Sequence, residues 1–341
     1  MRGREKTKHG CARLASLCVS GDEVNKRNVF LLLRVAVSLL LLFLLYRRIE
    51  IGDLLGVFRT LHIAPLAGVF ALMLLNTVLH AWKWMLLLKA DGIHLPFGSL
   101  LATYLAGSFF NMFLPSNIGG DAYRVYDVAR FSKRGAHAFA SVLADRVTGY
   151  FALVIVAVAV GLAGHSLLPH REVVWIPIAG LAVLCMATGM AFYPRLIRRV
   201  LRMSWLLKIR DLRPFVEKLL ESVHHYRGKP GLLVKIMLAS FWFQANVIVC
   251  VFLLARGLGL EVPLRAMAVF VPFVSMMEAL PVSIFGLGIR DASYAYFLTH
   301  AGWSEAHALT LALAYVALTL VYVSFGGVIF LLRPRGLRQN K

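Results

Sequence analysis

The feature that most constrains this chain is a series of apolar runs, each close to the length that crosses a lipid bilayer. A span needs about 20 apolar residues as a helix, because hydrocarbon offers no partner to the backbone amides and carbonyls. The sequence therefore predicts an all-α integral membrane protein with about six full spans. The predicted spans cover residues 29–46, 63–82, 141–163, 173–193, 233–255 and 306–331.

The composition agrees with a membrane protein. Hydrophobic residues make up 59% of the 341 residues, and the mean hydropathy is +0.73, whereas soluble domains average about 45–50% apolar residues. The formal net charge of +20 would suggest nucleic acid as the partner of a soluble protein. Here the basic residues concentrate between the apolar runs, and no basic–aromatic motif of a nucleic-acid module occurs. We expect membrane lipids and anionic lipid headgroups as partners, and no nucleic acid.

The distribution of basic residues predicts the orientation. The connection 194–231 holds ten Lys or Arg against three acids, whereas 164–172 holds one of each. Cytoplasmic connections carry the excess of basic residues, so 194–231 is predicted inside and 164–172 outside. We expect a multi-pass protein of the plasma (inner) membrane with both termini cytoplasmic.

The same pattern predicts the organisation of the chain. Residues 1–28 form a basic cytoplasmic tail, 29–332 the transmembrane domain, and 333–341 a second basic tail. The transmembrane domain divides into halves of roughly 29–165 and 173–332.

Two further apolar runs, 99–114 and 266–280, do not fit as simple spans. Each ends at a Leu-Pro pair, and Pro115 and Pro281 are predicted to break the helix there. Proline lacks a backbone donor, and the glycines that follow permit a sharp turn. A break at membrane depth persists only where it is buried in protein or lines a wet cavity. Each run is therefore predicted to begin a re-entrant or broken hairpin.

The two halves repeat the same order of span, span, hairpin and span. Corresponding positions are separated by similar distances: 166 residues from Pro115 to Pro281, 170 from 63 to 233 and 165 from 141 to 306. Three full spans per half is an odd number, so the second half is predicted to be inverted, as in many secondary transporters. The alternative is that Leu-Pro followed by glycine recurs by chance.

Several short motifs occur in order around the two breaks: Phe110-Asn111, Leu114-Pro115, Gly119-Gly120-Asp121, Arg124, Asp145-Arg146, Pro281 and Gly286-Leu287-Gly288-Ile289-Arg290-Asp291. With these motifs the chain resembles a known family, the flippase-like transmembrane region of lysylphosphatidylglycerol synthases and related stand-alone membrane proteins. The resemblance covers roughly residues 30–332.

The resemblance implies movement of a polar-headed lipid between leaflets, or handling of such a lipid for a partner enzyme. The family usually has Glu where this chain has Asp291. The lysyl-transferring members add a large soluble aminoacyltransferase domain. This chain stops at Lys341, so we expect no use of aminoacyl-tRNA.

Ionisable residues at the breaks and span entrances are the candidate substrate-binding groups, because charges within hydrocarbon are costly and are functional candidates by default. Some of them could instead lie at the interface and snorkel. The predicted substrate-binding residues are Asn111, Asn117, Gly119, Gly120, Asp121, Arg124, Asp145, Arg146, Gly286, Gly288, Arg290 and Asp291.

The charged candidates and the glycine amides suggest how an anionic headgroup could bind. The Arg290 guanidinium could hold a lipid phosphate through two parallel hydrogen bonds, with Asp291 holding Arg290 when the lipid is absent. Asp121 and Arg124 would form the mirrored pair, and the amides of Gly119 and Gly120 could help bind an anion.

For other candidates, a structural and a functional interpretation both remain open. Asp145 and Arg146 are equally a structural ion pair or a substrate contact, and Asn111 and Asn117 equally cap the half-helices. Glu278 is a weaker candidate for proton coupling.

The remaining residues suggest no further chemistry. The histidines, His80 among them, are interpreted as surface or interface residues, and Lys83 between Trp82 and Trp84 as part of an aromatic interfacial belt. No catalytic residue, metal site or cofactor is predicted.

The sequence thus favours a lipid flippase or transporter for a polar-headed lipid, anionic or of isoprenoid or glycolipid type, and a chain that is not itself an enzyme. The alternatives are a membrane-embedded lipid-modifying enzyme and an accessory subunit of a lipid or glycan synthesis complex. In the accessory role, its partner would be a glycosyltransferase or a lipid-synthesis enzyme.

Overall fold

The computed structural model describes residues 62–113, 119–191, 226, 228–280 and 286–332, and these residues are helical without any β-strand. Two short 3-10 turns, His165–Leu167 and Arg171–Val174, precede α5. The α-helices are α1 (Ile63–Ala90), α2 (Phe97–Phe113), α3 (Gly119–Ser132), α4 (Gly135–Ala163), α5 (Trp175–Ala191), α6 (Pro230–Gly257), α7 (Leu264–Ala279), α8 (Ile289–His300) and α9 (Glu305–Leu332).

Within the described residues, five helical segments are long and apolar enough to cross a membrane: α1, α4, α6, α9 and Arg171–Gly189, which contains most of α5. Their mean hydropathy lies between 1.8 and 2.2. They coincide with five of the six predicted spans, and the all-α membrane fold is confirmed. The predicted first span, 29–46, and both basic tails lie outside the described residues.

The remaining four helices form two packed pairs, α2 with α3 and α7 with α8. Their lengths are 17, 14, 16 and 12 residues, so at 1.5 Å per residue each is shorter than a hydrocarbon core of about 30 Å. The predicted breaks fall between the helices of each pair. Pro115 and Pro281 themselves lie outside the described residues.

Hydrogen bonds at one end of the bundle join the end of α1 to the starts of α4 and α6. Arg134 donates to the Asp91 carbonyl at 3.2 Å, Lys229 donates to the Ala90 carbonyl at 3.0 Å, and the Tyr226 hydroxyl donates to the Asp91 carboxylate. Burial and this hydrogen bond both raise the pKa of Tyr226 above its usual range. We name this the Asp91 end.

The opposite end, which we name the Leu168 end, contains the start of α1 and the end of α6. The His62 amide donates to the Gly257 carbonyl at 2.7 Å, so α1 and α6 run antiparallel along their lengths. Leu168, Leu260 and Val262 belong to one hydrophobic cluster here.

The two hairpins therefore open toward opposite ends. The α2–α3 pair starts just after Asp91 and finishes just before Arg134, both at the Asp91 end. The α7–α8 pair starts after Val262 and finishes at His300, whose ring lies 6.4 Å from that of His170 at the Leu168 end.

Packing between the halves is reciprocal. A Cβ placed on Gly161 of α4 would lie 3.0 Å from the Phe273 ring of α7. A Cβ on Gly327 of α9 would lie 2.6 Å from the Phe109 ring of α2. Each half thus packs its last span on the other half's hairpin. The full inverted repeat stays a prediction, because residues 1–61 lie outside the described residues.

Candidate functional site

A cavity of about 350 Å³ lies between the two halves. It is near the middle of α4 and α6, since Gly149 and Phe243 line it. Asn111 and Glu278, at the ends of α2 and α7, bring both hairpins to its wall. The other polar lining residues include His80, Lys83, Tyr104, Asp145, Arg146, Ser240, Gln244, Ser275 and Tyr315.

Asp145 is the centre of a buried ion-pair network on one side of this cavity. One carboxylate oxygen lies 2.9 Å from Nζ of Lys83, and the other lies 3.0 Å from a guanidinium nitrogen of Arg124. All three side chains are at most 4% exposed. Such charges are tolerated at this depth only because each has an oppositely charged partner.

The network continues through a second carboxylate to Arg146, which lines the cavity. Asp121 lies 3.2 Å from Arg124 and 2.6 Å from Nε of Arg146. Arg146 is the most accessible member, with 36% of its side chain exposed. Three cations thus share two carboxylates in these contacts, so the network has one more cation than carboxylate among the described residues.

Aromatic rings and hydroxyls hold the cations in place. The Arg124 guanidinium lies 4.3 Å from the Trp84 ring and 4.5 Å from the Tyr104 ring. Both contacts are within cation–π range. Lys83 also donates to the Ser240 hydroxyl of α6 at 2.9 Å. This hydrogen bond links the charged network to the second half.

The first hairpin is closed by an asparagine and a glycine. Asn111 accepts a hydrogen bond from the Gly120 amide at 2.7 Å, so it caps the start of α3. A Cβ at Gly120 would collide with the Gly107 carbonyl oxygen. Only glycine lets α3 approach α2 this closely. Because the Gly120 amide is already satisfied, it is not free to bind an anion.

The second hairpin has a different arrangement. Gly286 and Gly288 adopt φ angles of +72° and +84°, which favour glycine. The Asp291 carboxylate accepts the Gly288 amide at 2.8 Å. The carboxylate that approaches Arg290 is that of Glu278, at 3.6 Å.

The structure therefore corrects two predicted pairings. Asp121 and Arg124 do pair, but Arg290 and Asp291 do not form the mirrored pair, because the Asp291 carboxylate satisfies the turn at Gly288. Asp145 and Arg146 are neighbours that point to different partners, since successive helical side chains diverge by about 100°. The roles of the predicted residues in substrate binding stay predictions. Asn117 lies outside the described residues.

Two residues that line the cavity were predicted from the sequence to lie at the surface or at the membrane interface. Lys83 is 1% exposed and not part of an interfacial belt, because Asp145 draws it inward. His80 is not a surface histidine, since its ring packs 5.4 Å from Tyr104 and 4.2 Å from Phe243. A lysine between two tryptophans, just after the predicted span 63–82, was the only signal for Lys83.

An apolar helical bundle with charges buried around a central cavity defines the chain as a multi-pass membrane protein. Residues 31–327 match the family described as the lysylphosphatidylglycerol synthase TM region. The chain belongs to this family, which places it among membrane proteins involved in lipid synthesis or transport. None of the curated proteins compared with the chain matches it.

Proposed function

We propose that this protein moves a polar-headed lipid between the leaflets of the plasma (inner) membrane, with both of its termini cytoplasmic. The observation that carries the proposal is the cavity between the halves, which reaches both hairpins and is lined by Lys83, Asp145 and Arg146. The excess of basic residues in 194–231 supports the orientation.

The physical need for such a cavity comes from the headgroup. A charged headgroup loses its hydration on entering hydrocarbon, and an unpaired charge there costs several kcal/mol. Side chains of both signs near the middle of the helices could replace that hydration. The acyl chains need no such help, because they remain in an apolar environment throughout.

The network's excess positive charge favours a headgroup that carries a negative charge. Within the described residues the network holds three cations and two carboxylates, and this composition favours an anionic ligand. Anionic lipids are thus the preferred substrate class of this proposal.

A reconstitution assay tests the proposal. The purified protein is placed in vesicles that contain phosphatidylglycerol with a fluorescent headgroup, and dithionite is added outside to bleach the outer leaflet. We expect the protein to expose inner-leaflet lipid to bleaching, and Asp145→Asn to slow this exposure by about tenfold or more, because a buried charge pair loses one member.

The matched control is Glu172→Gln, which removes one negative charge at an exposed position outside the cavity. This variant should bleach like the wild type. If the wild-type protein leaves the inner leaflet protected, translocation is rejected. A new lipid product in the vesicle extract, detected by mass spectrometry, would instead support an enzyme.

A further inference from the structure

Arg290 is a buried cation near the carboxylate of Glu278. Its side chain is 1% exposed, and none of its three guanidinium nitrogens has a hydrogen-bond partner within the described part of the chain. A guanidinium presents five N–H donors, and burying them unpaired is costly. Among the described residues, Arg290 is thus a buried cation with unsatisfied N–H donors beside the central cavity.

Glu278 lies between this cation and the cavity. Its carboxylate is 3.6 Å from Arg290, beyond a good hydrogen bond, and its side chain is 30% exposed. Glu278 lines the cavity, as does Tyr315, whose ring lies 5.4 Å from the Arg290 guanidinium. The partner of Arg290 is therefore accessible from the cavity, while Arg290 itself is covered.

The first hairpin contains an arginine with two close carboxylates. Arg124 stands four residues after Gly120, as Arg290 stands four residues after Gly286. Arg124 has two carboxylates, Asp121 and Asp145, at 3.2 and 3.0 Å. The two arginines occupy similar positions but differ in their partners.

The difference lies in the last span of each half. A spacing of 165 residues relates Gly161 to Gly326 and Tyr150 to Tyr315, and it relates Asp145 to Thr310. The Thr310 hydroxyl donates to the Ala306 carbonyl and carries no charge. The position of the second half that is equivalent to Asp145 therefore carries no carboxylate.

We propose that Arg290 is an exchangeable anion-binding group, which releases Glu278 and takes a phosphate-type oxyanion from the cavity. A guanidinium can bind such an anion through two parallel charge-assisted hydrogen bonds. Arg124 keeps its carboxylates and acts structurally. The lipid origin of the anion rests on the proposed function, whereas the binding itself does not.

Binding to the purified full-length protein in non-ionic detergent tests this exchange. The melting temperature is followed against the concentration of phosphatidylglycerol, of inorganic phosphate and of diacylglycerol, and apparent Kd values follow from the stabilisation. We expect Glu278→Gln to bind the anion about tenfold more tightly, because a competing carboxylate is removed. Arg290→Gln should bind it about tenfold more weakly.

The matched controls are Glu172→Gln and Arg171→Gln, which make the same charge changes at exposed positions. Both should bind like the wild type. If Arg290→Gln does not fold, anion binding by Glu278→Gln still tests the proposed exchange. Unchanged or weaker anion binding by Glu278→Gln overturns the proposal, and so does diacylglycerol binding equal to that of phosphatidylglycerol.

Comparison of phosphatidylglycerol with inorganic phosphate distinguishes the two possible sources of the anion. Tighter binding of phosphatidylglycerol alone indicates a lipid headgroup, and tighter binding of inorganic phosphate as well indicates a site that also takes the free anion. A failed translocation assay would leave this binding result intact. Conversely, absence of the Glu278→Gln effect would leave the translocation result intact.

Discussion

At the scale of single residues, Asp145 shows how buried charges depend on one another. Its two oxygens serve two different cations, Lys83 and Arg124. Removing the shared carboxylate leaves two cations short of a partner, whereas removing Lys83 leaves Asp145 still paired. The loss in the free energy of unfolding should therefore depend on how many partners the removed group had.

We expect Asp145→Asn to lower the free energy of unfolding by about 3–5 kcal/mol, because it breaks buried ion pairs while keeping the side-chain shape. Lys83→Met should cost less, about 1–3 kcal/mol. Thermal denaturation in one detergent measures both, with the exposed Glu172→Gln as the control. An equal loss in the two cavity variants would contradict the shared-carboxylate interpretation.

At the scale of helices, small residues determine how closely the elements approach. A Cβ at Gly326 of α9 would collide with the Leu105 carbonyl oxygen of α2, which is backbone and cannot turn away. Close approach of this kind is typical of helix packing in membranes, where contact replaces the hydrophobic effect. Contact between α9 and α2 also joins the two halves.

Gly326→Ala should therefore destabilise the protein by about 1–3 kcal/mol through overpacking. The matched control is Gly189→Ala in α5, where an added Cβ meets nothing within 4 Å. That substitution should be neutral or stabilise by up to about 1 kcal/mol, because alanine favours helix. Melting temperatures of the two variants provide the comparison, and a Gly326→Ala variant as stable as Gly189→Ala would refute the tight contact.

At the scale of the whole molecule, the two hairpins open toward opposite ends of the bundle. His94 and Lys133 flank the first hairpin and are exposed, while Glu261 and Ser304 flank the second and are exposed. If the long helices cross the membrane, the two pairs of positions face different compartments.

Single cysteines at these four positions test the arrangement, after replacement of the native Cys11, Cys18, Cys185 and Cys250. An impermeant maleimide should label positions 94 and 133 from one side of the membrane, and positions 261 and 304 from the other. Labelling is compared in sealed vesicles of both orientations, with detergent-opened vesicles as the control for reactivity. Labelling of all four from a single side would exclude oppositely directed hairpins.

Much of the architecture was predictable because it depends on local patterns. The length and apolar character of a run determine whether it can span hydrocarbon, so five helical segments coincide with predicted spans. Pro115 and Pro281 lie in the sequence between the paired short helices, where the missing backbone donor of proline favours a break, although Pro272 is accommodated inside α7. The motifs around them identified the family.

The partners of the charged residues depended on the tertiary structure. Lys83 meets Asp145 from 62 positions away and Ser240 from 157 positions away, and Arg290 approaches Glu278 rather than its neighbour Asp291. By itself the sequence determined the helices, their breaks and which charges lie near them, because these follow from spacing along the chain. Only the packing of the two halves decided which charges neutralise each other, because an ion pair requires proximity in space.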